Sequence, residues 1–232
     1  MTQAASDEGA ALVREQTCRE LSTALRNAGR AVWVGGYFVG PDRVSGDSPF
    51  GFGSDSAVGL ATVVQVAGEL TAGTVTLLAE GNNYAAGALL RQMVEVEYLT
   101  WAFAEDEAEA ESWMRSSRGE RLKMWTPAEL RRRSGGRFKA ADYGSHCDRG
   151  GHPTPEAMLL LPEHSTQTPA AFWWVDLAIH SIGAWTYSVA AAHRLGFESA
   201  FQNDAVTASI ENWKRSDPLA TVASVGIEAL LG

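Results

Sequence analysis

Three groups of polar residues interrupt an otherwise apolar helical pattern, and their types are those that chemistry needs. In the first, Arg91, Glu95 and Tyr98 follow Tyr84 by seven, eleven and fourteen residues, which places all four on one stripe of a helix. Leu89, Leu90, Met93, Val94, Val96 and Trp101 fill the other sides, so this helix is apolar around most of its circumference. A guanidinium and a carboxylate four residues apart on such a helix need each other, because a lone buried charge is expensive. They read either as an ion pair pinning neighbouring helices or as a polar pocket whose Arg91 binds a small anionic ligand.

The second group lies in the run DYGSHCDRGGHPTPEA. Tyr143, His146 and Cys147 fit one turn of helix, and Gly150-Gly151 is expected to end it. His152 precedes Pro153 and is therefore expected in extended backbone. His146, Cys147 and His152 have the donor types of a zinc site, but the spacing matches no zinc signature and no second Cys/His pair stands nearby. The segment reads instead as a hydrogen-bonded turn or as the carrier of a binding or catalytic histidine, with no metal and no cofactor assigned. In the third group, Asp176 and His180 are four residues apart on a Trp-rich helix. A carboxylate at that offset can fix the imidazole tautomer and raise its basicity. With a second histidine from the His146/His152 segment the pair could do acid–base work, making His152, His180 and Asp176 the catalytic candidates. Otherwise it is a satisfied polar pair in a helix interface. Tyr187 and Arg194 continue the same stripe, while His164 and His193 are expected at solvent-facing helix or loop ends.

Local motifs of the common nucleotide, dinucleotide, serine-hydrolase and zinc-protease sites do not occur, nor does the Glu-x-x-His pair of di-iron bundles. The chain has 232 residues, of which 45% are hydrophobic and 20% charged, an ordinary globular balance. Nineteen Lys and Arg against 28 Asp and Glu give a net charge of −9, which excludes a uniformly basic nucleic-acid coat. That charge is unevenly placed. Arg115, Arg118, Arg121, Lys123, Arg131, Arg132, Arg133, Arg137 and Lys139 face only Glu120 and Glu129 within their segment. Its core, with Arg131, Arg132, Arg133, Arg137 and Lys139, is either a set of dipole-matched helix ends or a patch for phosphate or nucleic acid. Two cysteines, Cys18 and Cys147, make no disulfide framework.

The elements that must hold these groups are helical by period. Ser6 or Asp7 caps a first helix that closes near Gly29, and the stretch Ala31–Gly53, rich in glycine and aromatics, reads as a long ordered loop or short β-like excursion. Ser54 or Asp55 opens a second helix. A third pattern begins at Thr74 and runs to about Ala104, bent near Gly81-Asn82. Thr126-Pro127-Ala128-Glu129 carries a cap, a first-turn proline and an acid at the third position. Thr154-Pro155 and Thr168-Pro169 repeat the device, Gly196 stops the Trp-rich helix, and Ser216-Asp217-Pro218 opens a last helix ending at Leu230 or Leu231. The long apolar stretch Ala171–His193 is expected to be a buried helix of a soluble protein and not a membrane span, because Asp176 and His180 sit inside it.

These features predict one all-α domain over residues 1–232, a bundle of eight to ten helices with the N-terminal helix and the 31–53 loop packed on it. The start of the chain has no basic or apolar leader pattern, so a cytoplasmic protein is expected, without membrane contact.

The run ALLRQMVEVEYLTWAFAED, with Tyr143, His146 and the HPTP at His152–Pro155, resembles a bacterial helical family common in actinobacteria that carries a domain-of-unknown-function label. That resemblance implies an all-helical cytoplasmic protein and supplies no activity. A more distant likeness is to HEPN-type helical proteins, many of them metal-independent RNases of toxin–antitoxin or phage-defence systems. Their Arg-then-His signature, with four to six residues between, does not occur here, since Arg149 and His152 are separated by two. Three functions are therefore expected as alternatives: a binding protein whose polar pocket is lined by Arg91, Glu95, Tyr98, Tyr143, His146, His152, Asp176 and His180; an RNase-like phosphodiesterase using the Arg115–Lys139 patch; or a homodimerising module.

Overall fold

Ten α-helices and no strand are found among the described residues, 3–161 and 170–220, of the computed structural model. The all-α fold follows from the helical spacing of the apolar residues. Four long helices carry it: α1 (Gln3–Phe38), α3 (Asp55–Ala79), α4 (Asn83–Glu105) and α9 (Ala170–Arg194). Between α1 and α3 lies the short α2 (Pro41–Ser45). After α4 come α5 (Glu107–Arg115), α6 (Arg118–Met124), α7 (Pro127–Arg133) and α8 (Ala140–His146), and α10 (Asp204–Ser216) follows α9.

Helix starts are set by side chains that accept the first free backbone N–H groups, each contributing about 1 kcal/mol. Ser54 accepts from Ala57, Asn82 from Ala85, Asp106 from Ala108, Thr126 from Glu129 and Asn203 from Val206. Ser117 and Glu120 form a reciprocal capping box on α6. Thr154 differs from this pattern: its hydroxyl donates to the Asp148 carbonyl, and the 3₁₀ turn Pro155–Leu160 starts without a side-chain cap.

α3 packs against α1, α4, α5 and α9, and α9 lies across α4, with α8 on the outside of α4 and α10 on α1. α3 is the one described helix long and apolar enough to cross a membrane, and most of that stretch is buried in the bundle. The core between these helices includes Leu25, Leu60, Val64, Met93, Val94, Tyr98, Phe103 and Leu177, all fully or almost fully buried.

Three expectations need correction. The chain from Ala31 to Phe38 is helix, the last two turns of α1, and not loop; α2 follows at once. Gly35 and Gly36 signal close helix contact there, not chain reversal. A Cβ at Gly36 would lie 2.6 Å from the Ala57 Cβ, and one at Gly35 would lie 2.5 Å from the Phe197 ring. Thr74 does not begin a helix, because α3 runs unbroken from Asp55 to Ala79. The chain then breaks rather than bends: Gly81 adopts φ 75°, a left-handed turn that glycine makes at no steric cost, and Asn82 recaps α4.

Gly196, with φ 74°, follows the end of α9 as expected. Pro218 begins a helical turn after α10, while His164, Thr168-Pro169 and the chain around Leu230 lie outside the described residues.

Candidate functional site

Helices α4, α8 and α9 bring five titratable side chains together. Glu97 sits on the buried side of α4, among Val94, Tyr98 and Trp101, with its side chain only 2% exposed. Its Oε2 lies 2.6 Å from Nδ1 of His180 on α9, itself buried. The pair meets because α9 carries glycine at position 183, one turn beyond His180. A Cβ there would collide with Glu97 Oε1, so only glycine leaves the carboxylate its place.

The other face of His180 opens outward. Its Nε2 is 3.4 Å from Oδ1 of Asp176, one turn earlier on α9. Oδ2 of the same Asp176 is 3.7 Å from Nδ1 of His146, at the end of α8. His146 Nε2 is in turn 3.7 Å from Oδ1 of Asp142, also on α8. The two imidazoles meet edge to face with centroids 5.2 Å apart. Asp176 and Asp142 are 32% and 47% exposed, so the cluster is closed at Glu97 and open at the two aspartates.

α8 is held in place by an unusual feature. Beyond His146 the chain widens into a π turn, Cys147–Gly151, and this turn lies on α4. A Cβ at Gly150 would collide with the Gly87 backbone, so glycine allows the contact.

Burial opposes the charge on His180, but the Glu97 carboxylate, the Asp176 hydrogen bond and their combined field hold it well above the usual imidazole range. Burial likewise works against ionisation of Asp142. His146 beside it and the charge of His180 outweigh that effect and bring Asp142 below its ordinary value.

A second cluster sits on the other flank of α8. Arg91 Nη1 donates to Glu95 Oε1 at 2.9 Å and to the Tyr143 hydroxyl at 3.2 Å, and that hydroxyl donates to Glu95 Oε1 at 2.7 Å. The Arg131 guanidinium lies 4.6 Å from the Tyr143 ring centroid. Arg91 is thus engaged by a carboxylate and a phenol. Tyr98 stacks on Phe138 with centroids 4.0 Å apart and belongs to the core.

The residues expected to share one pocket therefore fall into two clusters joined through α8. Arg91, Glu95 and Tyr143 form one; His146, Asp176 and His180 form part of the other. His152 is exposed in extended backbone (φ −140°, ψ 152°) and joins neither. Glu97 and Asp142 are members that sequence reasoning does not single out. Asp142 repeats on α8 the Asp-x₃-His spacing of Asp176 and His180, and Glu97 is a lone acid on the most apolar face of α4. Both signals are present in the sequence.

Three of the nine cations in the basic segment form internal ion pairs. Arg115 pairs with Asp55 at 2.7 Å and with Glu111, Arg132 with Glu129, and Arg133 with Glu109 at 2.6 Å. Arg137 reaches the Tyr187 hydroxyl at 3.5 Å. His193 is exposed, and Cys18 and Cys147 are both free thiols. Comparison of the chain with protein-family models, curated proteins and solved structures returned no match.

Proposed function

We propose that this protein is a binding protein whose polar site between α4, α8 and α9 takes up a cationic ligand. The observation that carries this reading is the charge balance of the site. Three carboxylates, Glu97, Asp142 and Asp176, surround two imidazoles, and the two aspartates are the groups that reach solvent. Even with His180 protonated the cluster holds an excess of negative charge, and a partly desolvated site magnifies that preference. Arg91, the cation expected to hold an anionic ligand, is committed to Glu95 and Tyr143. The phosphodiesterase reading has the weaker support for the same reason, and because Arg115, Arg132 and Arg133 are spent on internal ion pairs.

Thermal-shift measurements with spermidine, Mn²⁺ and Zn²⁺ on one side and phosphate, AMP and a short RNA on the other test the reading. Cations are expected to raise the melting temperature of the wild type, with the effect reduced in Asp142→Asn and Asp176→Asn. Stabilisation by the anions alone would overturn it.

Association of two copies is a separate reading. It is supported by the apolar surface that Phe38, Val39, Val44 and Phe50 leave exposed around the end of α1 and α2. Light scattering of the wild type and of Val44→Asp checks it: a dimer that the substitution dissociates is the expected outcome, and a monomeric wild type ends it.

A further inference from the structure

We infer that the cation is a divalent transition-metal ion, bound by Asp142, His146 and His180 with Asp176 as a fourth donor. This rests on the cation-binding reading above and names its ligand. Among the described residues, this is where one donor atom from each of three such side chains comes together: the atoms of Asp142, His146 and His180 all lie within 4.8 Å of one another.

Within α8 and within α9, the Asp–His spacing is close to that of ligands around a shared ion. Nitrogen and oxygen donors bound at about 2.1 Å lie roughly 3.0–3.6 Å from one another when neighbours in the shell. His180 Nε2 and Asp176 Oδ1 are 3.4 Å apart, and His146 Nε2 and Asp142 Oδ1 are 3.7 Å apart. The His146 contacts are too long for good hydrogen bonds and use opposite ring nitrogens, only one of which can face the ion, so donor atoms that lie within 4.8 Å of one another must draw in by up to about 1 Å to share a metal. The two aspartates supply that movement, since their side chains are the exposed ones, and they also leave an entry path.

Glu97 fits the role of the supporting carboxylate. Imidazole ligands commonly donate their second ring N–H to a carboxylate, which fixes the tautomer and aims the other nitrogen at the metal. Glu97 accepts from His180 Nδ1 and so leaves Nε2, on the Asp176 side, as the nitrogen that a metal would take in exchange for its proton. Because it is fully enclosed and Gly183 makes its room, this carboxylate cannot itself reach the open side of the site.

The donor set indicates the ion. Two imidazole nitrogens with two carboxylate oxygens suit Zn²⁺ and its first-row neighbours, whereas Mg²⁺ and Ca²⁺ favour all-oxygen shells. A doubly charged ion with neutral imidazoles offsets two of the three carboxylate charges. The set differs from the His146, Cys147 and His152 combination weighed from the sequence: His146 is retained, His152 is exposed, and no thiolate is included.

The full-length protein, stripped with chelator and dialysed, is titrated with Zn²⁺ by calorimetry and with Co²⁺ by visible absorption. One ion per chain is expected, and the Co²⁺ spectrum should show ligand-field bands without a thiolate charge-transfer band. His146→Gln and His180→Gln should each weaken binding at least tenfold, and Glu97→Gln by about 10–100-fold as a supporting residue. Asp142→Asn, on an exposed carboxylate, gives a variant whose fold is not at stake, and it too should weaken binding. Cys147→Ser and His152→Gln should leave affinity unchanged, with far-UV circular dichroism confirming the fold of every variant. No stoichiometric uptake by the wild type, uptake indifferent to both histidine substitutions, or a strong thiolate band would each overturn the assignment. Should spermidine stabilise the protein while Zn²⁺ and Co²⁺ fail to bind, the metal is wrong and the cation pocket stands. Should neither amine nor metal bind, both fall.

Discussion

Two buried charge pairs in this protein look alike in kind and differ in what they leave over. Arg14 on α1 and Asp217 after α10 form the first. Arg14 Nη2 donates to Asp217 Oδ1 at 3.0 Å and Arg14 Nε donates to Oδ2, while Trp213 Nε1 and the Leu219 backbone N–H donate at 2.9 and 3.0 Å. Every lone pair of that carboxylate is used, and its side chain is wholly enclosed. The second pair, Glu97 and His180, has a single hydrogen bond between its members. Beyond it, His180 Nε2, His146 and two partly exposed aspartates stand at 3.4–3.7 Å from their nearest charged neighbours. A saturated pair fixes one helix to another. An unsaturated one, open on one side, has capacity for something else.

The largest effect should come from breaking the saturated pair. Asp217→Ala leaves Arg14 buried without its partner, and urea denaturation should show a loss of about 3–5 kcal/mol. A loss below about 1 kcal/mol would mean that the pair is not the lock described. Zn²⁺ at a hundredfold excess over its dissociation constant should stabilise the wild type by about 2.7 kcal/mol. Tyr143→Phe should keep that gain and His180→Gln should lose it, which separates the two flanks of α8 in one denaturation series.

Gly183→Ala pushes a methyl group into Glu97. It should cost about 1–3 kcal/mol by overpacking and also weaken metal uptake, whereas an equal cost with unchanged uptake would break the link between Glu97 and the site. Tyr143→Phe removes two hydrogen bonds, those to Arg91 and Glu95, from a partly exposed cluster and should cost about 1–2 kcal/mol. The smallest effect concerns Cys18. Burial pushes its thiol up to about 12, so iodoacetamide at neutral pH should leave it unmodified in the native protein and label it only after unfolding, as peptide mass mapping would show.

The helix start and stop signals are legible because they are local. Ser54, Thr126 with Pro127, and Gly196 each act within one turn of chain, and all three stand where their residue types place them. The stretch Ala31–Phe38 misleads for a physical reason. Glycine marks a turn when its φ is positive and a close helix contact when a neighbour crowds its α-carbon, and sequence does not distinguish the two. Gly36 is of the second kind, so α1 continues through it. Glu95 stands out in the sequence because it shares a stripe with Arg91, and Glu97 does not. Periodicity groups residues along one helix, and the partner of Glu97 lies on another, 83 residues away.

By itself the sequence determined the helical class, several helix boundaries such as those at Ser54, Thr126 and Gly196, and the i, i+4 pairs Arg91–Glu95 and Asp176–His180, since all of these depend on contacts within a few residues. Only the tertiary structure decided which pairs meet. It set Arg91 and Glu95 against Tyr143, left His152 outside, and joined Asp176 and His180 to Glu97, Asp142 and His146. That choice depends on how closely α4, α8 and α9 approach, and the approach is governed by Gly87, Gly150 and Gly183, whose missing side chains acquire meaning only when another helix is beside them.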